Sequence, residues 1–296
     1  MTGHGHADGQ RHGHGHAART WDDQAESLQR SAEVSAQWVE EAVAWVTSQH
    51  PSSVRLVIDA GCGAGFAARA LAHAVPDARV LAVDQNQKIL DIARDAIAGD
   101  GLQERVRTVQ ADLEEGLASL GPADIIWASA VVHHLPDPVR GLSLIGEALA
   151  PHGILAVAEG GLPMRVLPGG YGVGRPSFLP RVEAALSDYF VREWSLTDAA
   201  VGGKEDWRSM LAAAGFEPLA SKTFLLDHPA PVSGSVRAHV HTQFAEVRSL
   251  IGNALESADR SALDVLLDDD DPRSFARRTD LFLLSAHTVH LAMRVA

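Results

Sequence analysis

The stretch Val57-Ile58-Asp59-Ala60-Gly61-Cys62-Gly63-Ala64-Gly65 constrains the fold more than any other part of the chain. An apolar strand runs into a tight turn punctuated by glycine at three alternate positions, with a helix behind it. Glycine at those positions lets the backbone pass close to a ligand with no side chain in the way. Nineteen residues after Gly65, the apolar run Val80-Leu81-Ala82-Val83 ends on Asp84. An acid about 20 positions past such a loop, at the tip of the neighbouring strand, suits the two hydroxyls of a ribose. The pattern predicts a nucleoside-bearing cofactor lying across the carboxyl ends of a parallel sheet.

A nicotinamide or flavin dinucleotide is the obvious competitor, and its loop reads G-x-G-x-x-G. Counted from Gly61, the third glycine falls on Phe66; counted from Gly63, it falls on Ala68. That third glycine packs helix on strand so that a pyrophosphate can rest on the helix N-terminus. Phe66 in the first helical turn would obstruct this approach.

Asp-Ala-Gly-Cys-Gly-Ala-Gly instead resembles motif I of the class I S-adenosylmethionine-dependent methyltransferases. Further motifs follow in that family's order. Thr108-Val109-Gln110-Ala111-Asp112-Leu113 resembles the third strand and its closing carboxylate. Asp124 through Leu135, containing Ser129, His133 and His134, resembles the fourth strand and the loop after it. Ala148 through Val157 resembles a helix end, turn and fifth strand, with Pro-His-Gly where family members commonly have Pro-Gly-Gly. The resemblance covers about residues 54–160 and, more loosely, 205–227 and 280–295. It implies S-adenosyl-L-methionine as cofactor, held by Asp59, Gly61, Gly63, Gly65, Asp84, Gln85, Asp112, Leu113 and Ser129. In that arrangement Asp84 meets the ribose and Asp112 the adenine amino group, while the carbonyls of Ser129 and Ala130 face the methionyl ammonium.

The expected fold is α/β: a doubly wound, Rossmann-like sheet of seven strands, the last antiparallel, with helical cap insertions. Strands are expected near 55–59, 80–84, 106–110, 124–128 and 154–159, and helices near 65–75, 87–98 and 139–150. Residues 1–20 read as a disordered histidine-rich tail and 21–50 as a helical cover, with the cofactor-binding core over 51–160. Residues 161–204 and 228–279 read as two cap insertions. Between and after them lie a core helix and strand (205–227) and a terminal strand (280–296, from about Thr288). After Glu159 the glycines and prolines up to Pro176 mark a breaker-rich loop.

The net charge of −13 argues against nucleic acid, whose binding is driven by phosphate neutralisation. No run approaches the ~18 apolar residues that cross a bilayer, and the single cysteine excludes an intrachain disulfide framework. A cytoplasmic protein with a small-molecule methyl acceptor is therefore expected, its oligomeric state open.

His133 and His134 are the candidate catalytic bases, since imidazole can remove a hydroxyl proton near neutral pH; shaping the loop is the plainer role. Glu159 reads equally as a substrate contact and as a partner for nearby backbone. Cys62 reads as packing, Trp21 and Tyr171 as candidate lid aromatics, and His239 and His241 as polar cap surface. No metal site is expected: the histidines at 4, 6, 12, 14 and 16 sit in a tail without fixed geometry, and Asp268–Asp271 lacks calcium-loop spacing. Two other readings stay open, a non-catalytic S-adenosylmethionine- or metal-binding sensor and an NAD-dependent oxidoreductase.

Overall fold

The structure, a computed structural model, describes residues 21–50, 53–169, 172–193 and 206–294. The histidine-rich tail, the side chain of Trp21 and Tyr171 lie outside the described residues. Seven strands form one sheet in the order β3-β2-β1-β4-β5-β7-β6. They are β1 (Leu56–Ala60), β2 (Arg79–Asp84), β3 (Val106–Gln110), β4 (Ala123–Ser129), β5 (Leu149–Arg165), β6 (Phe216–His228) and β7 (Leu283–Arg294). The first five are parallel, and β7 runs antiparallel to both β5 and β6.

Both faces of the central strands are covered, which is why β1 and β4 read as continuous apolar runs. Alternation along the strands divides the core. Val57, Ile125, Trp127 and Ala156 face α1 (Trp21–Gln49), α2 (Phe66–Ala74) and α3 (Gln87–Gly99). Ile58, Ala60, Ile126, Ala128 and Val157 face α4 (Pro138–Gly146) and α6 (Trp207–Ala213).

Two boundaries differ from expectation. The helix before β5 ends at Gly146, and β5 already begins at Leu149, so Pro151-His152-Gly153 is an irregularity inside the strand. Register with β4 slips there, between Ala123↔Leu149 and Ile125↔Ile154. His152 takes a left-handed φ of 66°, and a Cβ on Gly153 would sit 2.8 Å from the Ala123 carbonyl oxygen. The chain doubles over itself too tightly for any side chain at that glycine.

The second difference concerns Gly160-Gly161, which sequence punctuation marks as a loop. The strand continues to Arg165, paired with the start of β7 through Gly161↔His287, Leu162↔Ala286 and Arg165↔Leu284. A Cβ on Gly161 would lie 1.9 Å from the Ala286 carbonyl oxygen, so these glycines permit a close strand crossing rather than ending the strand. β7 accordingly starts at Leu283, before the expected Thr288. Together β5, β7 and β6 rise past the carboxyl ends of β1, β2 and β4.

The rising strands carry α5 (Phe178–Glu193), α7 (Gly234–Ile251) and α8 (Ser257–Leu267). Helix α5 packs on α7, and α7 packs on both α8 and α1. Asp259, 2% exposed, ties the two insertions together through Arg181 (Nε 2.6 Å, Nη2 2.7 Å) and Arg175 (Nη2 3.0 Å). Its hydrogen bond from Arg181 is the main reason its carboxyl is held down at about 2. His239 and His241, expected as polar cap surface, are half-buried and also make contacts to neighbouring helices. Two positions apart on a helix is about 200° of rotation, so they face different neighbours: His239 reaches Ser31 Oγ on α1 (3.4 Å), and His241 reaches the Leu267 carbonyl on α8 (3.2 Å). Helix α1 is further pinned by His228 at the Val34 carbonyl (2.9 Å) and by Trp38 stacked on His287, ring centroids 4.2 Å apart.

Candidate functional site

The crevice opens where β1 and β4 end. Gly61, Gly63 and Gly65 all have left-handed φ (75°, 52° and 78°), and the amides of Gly61 and Cys62 both reach the Val83 carbonyl at 2.8 Å. The three glycines serve different ends. A Cβ on Gly61 would lie 2.5 Å from Val131 Cγ2, and one on Gly65 would lie 3.0 Å from Ala93 Cβ, so both are needed for packing. At Gly63 a Cβ would meet nothing within 4 Å. That position alone faces open space, where only a ligand would feel an added side chain. Cys62 is packed in the core on the α2 side, and burial pushes its thiol pKa up, which suits packing and not nucleophilic chemistry.

Asp59 closes β1 beneath this loop. It is 1% exposed, and its Oδ2 meets no hydrogen-bond donor among the described residues. Burial raises its carboxyl to about 7, the nearby Asp84 adds to the rise, and the Ala68 backbone amide offsets part of it. Asp84, at the tip of β2, accepts from the backbone of Asn86 (2.9 Å) and Gly63 (3.3 Å). It is therefore locked to the glycine loop, and burial raises its pKa as well.

Gln85 is exposed beyond Asp84, and its carbonyl accepts from Gln110 Nε2 (3.0 Å). Asp112 lies past β3 and accepts the Glu114 amide at 2.9 Å. The side chain of Leu113 turns into the core on the α4 side, so only its backbone is available to a ligand.

Ser129 ends β4, and Ala130 follows with φ 50° and its amide on the Ala158 carbonyl (3.1 Å). A 3₁₀ turn, Val132–His134, then leads to α4. Register Ser129↔Ala158 sets Glu159 directly beyond, at the matching level of β5. Glu159 is 6% exposed; its Oε1 accepts the amides of Val131 and Val132 (2.9 Å each) and of His133 (3.4 Å). Its Oε2 lies 2.8 Å from His133 Nδ1. Of the two roles open for Glu159 from sequence, the backbone-holding one is built here. The pairing with His133 was missed: the residues lie 26 apart, and only the β4–β5 register brings them together. His134 is exposed, its ring centroid 4.0 Å from that of His133. Thus the glycine loop, Asp59 and Asp84 gather at one side of the crevice, and Ser129, His133 and Glu159 at the other.

Residues 57–153 match the family model described as a methyltransferase domain. A trans-aconitate 2-methyltransferase of Azoarcus sp. (strain BH72) is 33% identical over 138 residues, 47% of this chain and 50% of that one. A ubiquinone biosynthesis O-methyltransferase of Caulobacter sp. (strain K31) is 27% identical over 180 residues, 60% of each chain. The chain thus spans about half the length of these curated relatives. A methyltransferase from Thiobacillus denitrificans, solved with S-adenosyl-L-homocysteine, superposes with a TM-score of 0.48 at 16% identity, covering 86% of this chain and 91% of that one. Over residues 57–153 the chain is thus similar to the methyltransferase-domain family, and the sheet order with its antiparallel β7, the glycine loop and the acidic strand tips accord with that likeness.

Proposed function

We propose that this chain transfers a methyl group from S-adenosyl-L-methionine to a small-molecule acceptor by in-line displacement. The observation that carries the reading is the cradle between β1 and β2. Gly63 offers an open left-handed position, Asp59 keeps a buried carboxylate oxygen without a donor among the described residues, and Asp84 is fixed against the loop by the Gly63 amide. A neutral or cationic nucleoside fits one buried and one half-buried carboxylate, whereas a pyrophosphate would be repelled by them.

The cofactor supplies an activated methyl group on a sulfonium. The chain's task is then alignment, worth several orders of magnitude in rate when reacting atoms are held close. The glycine loop and the Ser129 and Ala130 carbonyls would hold the methionyl end, Asp84 and Gln85 the ribose, and Asp112 and the Leu113 backbone the adenine edge. Helices α5, α7 and α8 with the first half of α1 would form the cap that admits the acceptor and excludes water. The net charge of −13 and the small-molecule reactions named for the relatives support a small acceptor over nucleic acid.

The test is thermal denaturation with S-adenosylmethionine, S-adenosylhomocysteine and NAD in parallel, followed by transfer of labelled methyl to extract metabolites. A ligand at about 100 times its dissociation constant adds roughly 2.7 kcal/mol to stability. Stabilisation by the two adenosyl-sulfur ligands alone is expected, and Asp84→Ala should abolish most of it. Stabilisation by NAD alone would overturn the cofactor assignment. Cofactor binding with no labelled product would favour the sensor reading.

A further inference from the structure

The far half of the β5–β7–β6 ribbon has one face that no described element covers. Val289 and Leu291 of β7 and Phe224 and Leu226 of β6 point into the core on the α1 side, so alternation turns Leu284, Ala286 and Thr288 the other way. Residues paired across antiparallel strands share a face. Register therefore brings Leu162 and Leu225 to either side of Ala286, Arg165 and Asp227 to either side of Leu284, and Thr223 beside Thr288. Helix α6 covers this face lower down, where Trp207 stacks on His290. Leu162, Leu225 and Leu284 are 66%, 57% and 38% exposed, three of the four large hydrophobic side chains left exposed among the described residues. Single leucines on a surface need no explanation, but three in two adjacent rows form a contiguous apolar patch, which marks an interaction surface.

The charges at the ends of the rows identify the partner. One row reads Arg165–Leu284–Asp227 and the next Leu162–Ala286–Leu225, so a cation and an anion stand at opposite ends of one level. A two-fold axis running along β7, between two copies facing each other, exchanges β5 with β6 and keeps the level. It sets Arg165 over the partner's Asp227, Asp227 over the partner's Arg165, and Leu162 over the partner's Leu225. Sheets pack face to face about 10 Å apart, a gap that one arginine and one aspartate side chain bridge together. Asp227 has no ion pair of its own among the described residues, and Arg165 has only a loose one, to Glu183 at 3.9 Å. We propose that this face is a docking surface for a second copy of the same chain, packed sheet on sheet about a two-fold axis, with Arg165–Asp227 pairs closing a leucine centre. Such an interface is self-complementary, as two-fold symmetry requires. Three strands about 4.8 Å apart over three levels offer on the order of 400 Å² per copy, the low end for a specific contact, so the dimer is weak and forms at high concentration.

Sedimentation velocity of the full chain, from about 1 to about 200 µM, is expected to show monomer giving way to dimer. Leu225→Glu changes an exposed side chain, so it should keep the thermal midpoint while lowering dimer affinity about tenfold or more. Arg165→Asp sets two carboxylates against each other at both ends of the level, and Asp227→Arg sets two guanidinium groups there. Each variant alone should stay monomeric. Mixed in equal amounts they should dimerise, because only the mixed pair has opposite charges at both ends. A folding defect cannot produce that recovery. A wild-type chain that is monomeric throughout the range, a dimer that survives Leu225→Glu, or a mixture no more associated than its parts would overturn the proposal. So would a Leu225→Glu variant with changed KM for a methyl acceptor and unchanged sedimentation, which would give the face to the acceptor.

Discussion

Asp59→Asn should make the ligand-free protein more stable at pH 8 even though it removes a residue of the glycine-loop motif. The carboxyl sits 1% exposed with Oδ2 unpaired among the described residues, and its pKa is raised from 3.8 to about 7. A carboxyl with a raised pKa binds more protons in the folded state than in the unfolded one, so stability falls as pH climbs from about 4 to about 7. Roughly three pK units at about 1.36 kcal/mol each make a deficit of about 4 kcal/mol above pH 7. The asparagine carries no charge, though burying its amide costs about 1–3 kcal/mol. The net gain at pH 8 should then be about 1–3 kcal/mol. The amide cost cancels when the variant's effect at pH 8 is compared with its effect at pH 4, so the difference between them should approach about 4 kcal/mol. Urea unfolding at both pH values measures it. An equal effect of the substitution at pH 4 and pH 8 would refute the reasoning, because the buried carboxylate would then carry no folding cost. The same variant should bind S-adenosylmethionine more weakly, which would make the unpaired oxygen a stability sacrifice retained for the ligand.

Gly63→Ala and Gly61→Ala should part company: the first, with open space around its Cβ, should lose about 1 kcal/mol to its left-handed backbone and lose cofactor binding. The second, 2.5 Å from Val131 Cγ2, should lose several-fold more stability, and calorimetry beside urea melts distinguishes them. Burial lowers the pKa of both His239 and His287. The folded state therefore resists protonating them, and stability should fall as pH drops below about 6.5. The effect should be clearest in the Asp59→Asn background, where the opposing carboxyl is gone, and a His287→Phe variant that keeps the Trp38 stack should flatten the slope. Asp259→Ala should leave Arg175 and Arg181 without their shared partner and loosen the two insertions, at about 1–2 kcal/mol, since both arginine heads stay partly in solvent. Faster hydrogen exchange confined to α5 and α8 would bear that out, and unchanged exchange there would contradict it.

The sequence by itself determined the cofactor half of this protein. Local rules suffice there: a strand that must turn sharply past a ligand needs glycine at fixed offsets, and parallel strands covered on both faces must be apolar throughout. Hence 57–65, Asp84 and the five parallel strands were legible. Tertiary structure decided what depends on pairing between distant segments. Gly160-Gly161 has the punctuation of a loop, yet it is where β5 crosses β7 too closely for a side chain. His239 and His241 look like polar surface, yet helix rotation turns them to α1 and α8. Glu159 looked like a substrate contact as readily as a brace, and only the Ser129↔Ala158 register sets its carboxylate against three amides and His133. Short-range backbone geometry is written residue by residue, whereas a contact across strands depends on register, which no single segment contains.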